Sequence, residues 1–294
     1  MAKSLALVTA LAMTALVVTS CDKKSVADEH TFRAEVYTDL NKLDKAEREI
    51  QLAIGSDASY SEAWRIYGNL WAKKGNADSA IAMYAKATTT GPDNFEAFVA
   101  LSNAYAAVNK IDSAISAIRK AVEIKPDSSL GYNNLGVLLT NAQSFSDATK
   151  AFQTAITKDS ANVQAHYNLG NVLFKQNRLD EAVVSFKKAL NLNVNFTQCY
   201  LELANIDDRM NRKAEAANNR GLAAMTTNNV AAARDAFASS VTIDPNYAVG
   251  YNNLAHAQLK LNAREEAIEN FKKAARLGYA DAQRLLTAEK ISWN

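Results

Sequence analysis

The sequence is self-similar at a period of 34 residues, and that period restricts the chain to an architecture built by stacking one short unit many times. Segments beginning at residues 27, 61, 95, 129 and 163 stay in register without a gap. The first half of the unit opens on a large ring at Trp64, Phe98, Tyr132 and His166. It then carries a pair ending in a small residue at Tyr67-Gly68, Leu101-Ser102, Leu135-Gly136 and Leu169-Gly170. The second half repeats Ala80, Ala114, Ala148 and Ala182, then Tyr84, Ile118, Phe152 and Phe186, then Ala87, Ala121, Ala155 and Ala189. Steps of four and three residues put such positions on one face of a helix. Each unit therefore reads as two helices whose small residues let them touch. With only 3 prolines and 10 glycines, long helices are favoured over many-stranded sheets, and Pro92 and Pro126 sit where a proline ends a unit at little cost.

This set of positions resembles the tetratricopeptide repeat (TPR). The resemblance implies an all-α fold, a right-handed superhelical solenoid of antiparallel helix pairs. Seven repeats, a half-repeat and a C-terminal capping helix are expected. Five repeats fill 27–196. The first is atypical, keeping Ala46, Ile50 and Ala53 in its second helix but carrying His30 and Arg33 where large apolar residues usually stand, as a solvated end repeat would. Two more repeats follow over 214–281, marked by Gly221, Ala233, Phe237, Tyr251, Leu254, Ala267, Phe271 and Ala274. Residues 282–294 read as a capping helix with Leu285, Ala288 and Ile291 on one side. Glu289 in the small position forbids a further helix from packing there.

Between these arrays the period slips by half a unit. Residues 197–213, with Tyr200, Leu203 and Ala204, form a first helix, and Asn211-Arg212 repeats the turn residues Asn177-Arg178. The next stretch fits a second helix through Ala216 and Ala223 but places Arg220 in the large apolar position, and it also fits a first helix. Two paths satisfy this pattern: an Ala-rich helix shared by its neighbours, or one unbroken helix over 197–227.

The amino terminus reads as an export address. A single Lys3 precedes the apolar stretch from Leu5 to Val18, which falls short of the ~18–20 residues of a membrane-spanning helix. Val18-Thr19-Ser20-Cys21 resembles a bacterial lipobox, which implies a signal peptide over 1–20, acylation of the Cys21 thiol, and a lipidated tether over 21–26. Acyl chains supply ~0.8 kcal/mol per buried CH₂, enough when several are attached. The alternative is an ordinary cleaved signal with an incidental cysteine.

In TPR proteins partners usually lie against the first helices, so the resemblance implies a binding groove there. The phase puts Asn69, Asn103, Asn134, Tyr167, Asn168, Asn171, Phe174 and Asn205 on that face. An amide both accepts from and donates to a peptide backbone, and the two rings offer apolar anchors. The competing reading is that asparagine merely solvates these faces. Arg65 and Asn69 begin a carboxylate clamp of the kind some TPR domains carry, but Glu96 and Ala100 stand in its next places and cannot hold an anion.

Other functions find little footing. Lys plus Arg numbers 33 against 31 for Asp plus Glu, and no like-charge run marks a nucleic-acid surface. His30, His166 and His256 fall in separate repeats, and no metal, nucleophile or phosphate-loop motif occurs. No catalytic residue, metal or cofactor is expected. Cys199 reads as a small core residue. The expected function is a protein-protein interaction scaffold, a membrane-anchored lipoprotein that holds a protein or peptide segment in a cell-envelope complex, with the outer membrane favoured. Similar TPR lipoproteins assist pilus or secretin assembly or adapt cell-wall hydrolases. A glycan-binding outer-membrane lipoprotein is the alternative, although the blocks here abut without the long insertions such proteins carry.

Overall fold

The computed structural model describes residues 23–293. Cys21 and the expected signal peptide lie outside the described residues. Among those described there are sixteen helices and no strand. The described chain forms two compact units, one ending at Ser144 and the other beginning at Phe145. The first contains α1 (Lys23–Asp39), α2 (Leu43–Ser56), α3 (Ser61–Lys73), α4 (Ala77–Thr90), α5 (Phe95–Ala107), α6 (Ile111–Ile124) and α7 (Ser129–Asn141). The second contains α8 (Phe145–Lys158), α9 (Val163–Lys175), α10 (Leu179–Leu192), α11 (Thr197–Arg209), α12 (Lys213–Thr226), α13 (Val230–Ile243), α14 (Ala248–Lys260), α15 (Arg264–Arg276) and α16 (Ala280–Ala288).

Within a hairpin, a missing side chain on one helix receives a ring from the other. A Cβ added to Gly68 would lie 2.4 Å from the Tyr84 ring, one on Gly170 would lie 2.6 Å from Phe186, and one on Gly221 would lie 2.4 Å from Phe237. Phe186 and Phe237 are fully buried as a result. Ser102 takes the glycine's place in the third hairpin, and its hydroxyl donates to the Ala114 carbonyl at 2.8 Å, so the polar atom it buries is satisfied. The opening ring has a second task. Trp64 Nε1 donates to the Ala58 carbonyl at 2.9 Å, and His166 Nε2 lies 3.1 Å from the Ser160 carbonyl. With its proton on Nε2, histidine replaces tryptophan there because it keeps a ring N–H aimed at the preceding loop.

Helix ends distinguish the two helix types. First helices close on a left-handed residue followed by a six-residue hydrogen-bonded loop, as at Asn109 (φ 58°) with Lys110 N–H to Tyr105 carbonyl at 2.9 Å, and Asn177 (φ 59°) with Arg178 N–H to Leu173 carbonyl at 2.9 Å. Asparagine tolerates that backbone better than most residues. Second helices instead run into a residue outside the left-handed region, as at Asp57, Gly91, Lys125 and Asn193. On this criterion α12 is of both types. Asn211 (φ 58°) closes α11 before it, and Asn228 (φ 58°) closes α12 itself. Those asparagines stand 17 positions apart, half a period. α12 packs on both α11 and α13 as closely as partners within a hairpin, and it buries Ala216, Ala217, Gly221 and Ala223 to do so. No unbroken helix runs over 197–227, because Met210 to Arg212 form a turn.

Both ends of the described chain differ from expectation. α1 begins at Lys23, inside the expected 21–26 tether, since nothing in Lys23-Lys24-Ser25-Val26 opposes a helix. Its face is polar but satisfied: Thr31 and Thr38 donate to the Ala27 and Ala34 carbonyls, and His30 Nδ1 meets Glu49 at 2.7 Å. At the other end, the helix expected over 282–294 spans only Ala280–Ala288. Gly278 (φ 87°) gives α15 a left-handed ending too, and the α16 that follows it buries Ala282 and Leu286, while Ala288 is exposed. A further left-handed turn at Lys290 folds Ile291 and Trp293 against the core around Phe271. Glu289 is exposed, 3.8 Å from Arg264.

Candidate functional site

The first-helix face is built differently in the two units. In the first unit α3 contributes Arg65, Asn69 and Lys73, and all three are already engaged. The Tyr84 hydroxyl donates to Asn69 Oδ1 at 2.8 Å. Arg65 pairs with Glu62 and lies 3.9 Å from Glu35, and the hydrogen bond to Glu62 holds its guanidinium above its usual pKa despite burial. Lys73 donates to the Thr38 carbonyl. An anion arriving at Arg65 would have to displace two carboxylates, so the clamp is absent here for electrostatic reasons as well. Further along, Asn103 of α5 is exposed, and Asn134 of α7 is half-buried with Leu130 and Val137 exposed on the same side of the helix.

In the second unit α9 brings Tyr167, Asn168, Asn171 and Phe174 together on one face. Tyr167 is wedged between Phe186 and Phe196, with ring centroids 5.8 and 4.9 Å away. It therefore belongs to the scaffold more than to an open surface. Asn168 Oδ1 accepts from Gln164 at 3.1 Å. Phe174 does not present a bare ring, because the Arg209 guanidinium of α11 stacks on it, 4.4 Å from the centroid. Next to it on α11, Leu201 is 45% exposed and Asn205 donates to Glu202 at 3.3 Å. The open part of this face is thus a stacked Arg209-Phe174 pair flanked by Asn171, Leu201 and Asn205. It combines a planar cation, amides and aliphatic surface, groups that recognise an extended chain rather than transform a substrate.

Arg209 went unnoticed in the sequence, although an arginine 35 residues after an aromatic on the first-helix face was the available signal. Elsewhere an amide pair joins two first helices, where Asn253 of α14 donates to the buried Asn218 of α12 at 2.8 Å. That one bond ties α14 to α12.

Other chemistry is not assembled. Among the described residues no group of His, Cys, Asp or Glu is arranged to hold a metal, and no helix is long and apolar enough to cross a membrane. Cys199 is fully buried, and burial, with a smaller contribution from Glu202, pushes its thiol up to about 12. The tryptophans do not form a sugar platform: Trp64 is tied to its loop, Trp71 packs against Tyr67 and Lys74, and Trp293 packs on the C-terminal core.

Tetratricopeptide repeat models match residues 33–95, 72–134, 163–196, 207–248 and 248–277, and a TPR repeat model matches 138–177. The chain belongs to the tetratricopeptide repeat family. No curated protein matches it in sequence. Among solved structures, the TPR array is similar to MamA, at 24% identity and a TM-score of 0.53 over 56% of this chain and 96% of that one. It is also similar to PilF of Pseudomonas aeruginosa, at 14% identity and a TM-score of 0.60 over 69% and 91%. MamA of Desulfovibrio magneticus RS-1 aligns at 15% identity and a TM-score of 0.54 over 58% and 96%. At these identities the likeness is one of fold. The TPR fold is suited to holding other proteins.

Proposed function

We propose that this TPR protein is a scaffold that holds an extended segment of a partner protein against its first-helix face. The observation that carries this reading is the surface on α9 and α11, where Phe174 under Arg209 is flanked by Asn171, Leu201 and Asn205. Backbone amides of a bound strand would pair with the asparagine amides, and an apolar side chain would rest on Leu201 and the edge of the stacked pair. The eight residues expected from the phase divide by role. Asn69 and Tyr167 are tied into the scaffold, while Asn103, Asn134, Asn171, Phe174 and Asn205 remain to meet a partner. Asn168 does both.

We further infer that the body is tethered to a bacterial membrane through a lipidated Cys21 and works in the cell envelope. The support is the apolar stretch ending in Val18-Thr19-Ser20-Cys21. Metabolic labelling with an alkyne fatty acid tests the anchor: the wild type should incorporate label and partition with membranes, and Cys21→Ser should do neither. Partner holding is tested by crosslinked capture from envelopes with a variant combining Asn171→Ala, Leu201→Ser and Asn205→Ala. Its recovery of specific proteins should fall at unchanged helical circular dichroism. Undiminished recovery would move the binding surface elsewhere.

A further inference from the structure

Charge on the two helices that carry the open face, α9 and α11, is unevenly used. α9 contains no carboxylate, and α11 contains three. Asp207 is buried, with Arg212 2.6 Å from Oδ1 and Asn219 donating to Oδ2 at 2.7 Å. Asp208 is paired with Arg220. Glu202 accepts from Asn205. It stands two turns before Arg209, ~10 Å along the helix, a distance at which salt screens most of its charge.

The cations are left over. Lys175 and Arg209 end α9 and α11 at the same place in successive repeats, 34 residues apart, and both are exposed. Among the described residues neither side chain has an ion pair or a hydrogen bond. The helix dipole favours a positive residue in a last turn, but that leaves the N–H donors of both open to an acceptor. Arg209 differs from Lys175 in being held. Its guanidinium lies over the Phe174 ring, 4.4 Å from the centroid, so part of the side-chain freedom that binding would remove is already gone.

α11 supplies the rest of the surface in one stripe. Leu201, Asn205 and Arg209 stand at four-residue steps on one side of the helix, and all three are exposed. In order they offer an apolar surface, an amide and a planar cation. Leu201 and Arg209 are ~12 Å apart along the helix, and an extended chain covers that span in about three or four residues at ~3.3 Å each. Resting on the partner-holding role of α9 and α11, we propose that the held segment sets an aspartate or glutamate side chain on Arg209 and a large apolar side chain on Leu201, about three or four positions apart. Its backbone between them lies on Asn205. The acid is a side chain within the segment, so a blocked carboxy terminus does not affect binding.

The test is selection of phage-displayed random peptides, fused through their carboxy termini so that no chain end is offered, on the full chain. Parallel selections use Arg209→Gln and the triple variant Asn171→Ala, Leu201→Ser, Asn205→Ala. Peptides that bind the wild type but not the triple variant should be enriched in Asp or Glu three or four positions from Leu, Ile, Val or Phe. That enrichment in acids should vanish on Arg209→Gln. In a synthetic, amidated copy of the best binder, replacing the acid by its amide should weaken binding to the wild type about fivefold, the upper range for an exposed ion pair. The same replacement should change nothing on Arg209→Gln. Peptides sensitive to the triple variant but without acidic enrichment overturn this proposal and leave the partner-holding role in place. So does an acid whose replacement costs as much on Arg209→Gln as on the wild type. Absence of any peptide sensitive to the triple variant overturns both. The acid-to-amide comparison is read on the wild type alone, so an unchanged affinity there overturns the proposal without any variant having to fold.

Discussion

At the scale of single residues, what decides the fold is where side chains are missing. Gly170→Ala would drive a methyl into the fully buried Phe186 ring, 2.6 Å away, which cannot yield. The overpacking cost of ~1–3 kcal/mol outweighs the ~1 kcal/mol that alanine gains in a helix. Its melting midpoint should therefore fall. Gly55→Ala meets nothing within 4 Å and should raise stability by ~0.5–1 kcal/mol. Thermal or urea unfolding of the two variants checks both signs. The repeated glycine made this interlock legible in the sequence, with Ser102 as a permitted substitute. The role of Asn69 was not legible, because its bond to Tyr84 exists only once Gly68 lets that ring close over the first helix. Phase placed Asn69 on the outer face without showing that its acceptor was already taken.

At the scale of elements, a left-handed turn marks each first helix, and where its residue is an asparagine it can be read from the sequence. Asn177, Asn211, Asn228 and Asn262 are separated by 34, 17 and 34 residues, so the slip at α12 is written in turn residues more plainly than in core residues. The core pattern was ambiguous because a helix packed on two sides uses alanine on both and needs no large residue on either. The α15 ending was hidden because Gly278 stands where most of the turns before it, Gly75 and Gln143 aside, use asparagine. Around α12, Arg212→Met should destabilise the second unit by ~2–3 kcal/mol, somewhat less than a fully buried pair because Arg212 retains some exposure. Adding Asp207→Asn should recover part of that loss. A double-mutant cycle by urea unfolding measures it, and additive effects would show that the pair is uncoupled.

At the scale of the whole molecule, the stacked hairpins bury tyrosines in both units. Tyr60, Tyr84, Tyr200, Tyr247 and Tyr279 all have raised pKa values, and burial is the leading cause for each. The folded chain therefore keeps phenolic protons that the unfolded chain releases above pH ~10. Stability should decline as pH rises past that point, which urea midpoints between pH 8 and 11 will show. A flat profile would mean the phenols titrate freely. The repeat architecture was legible because a solenoid is the sum of its units. The binding surface was less so, because Arg209 on α11 covers Phe174 on α9, a contact between repeats that no single unit records. The central claim is that partners are held by first helices. The most direct test places a photoreactive benzoylphenylalanine either at position 205 on the α11 face or at position 184 on second-type helix α10, where Val184 is 59% exposed. Irradiated in cells, the probe at 205 should crosslink a distinct partner protein and the probe at 184 should not. Crosslinking from 184 alone, or equally from both, would contradict the account.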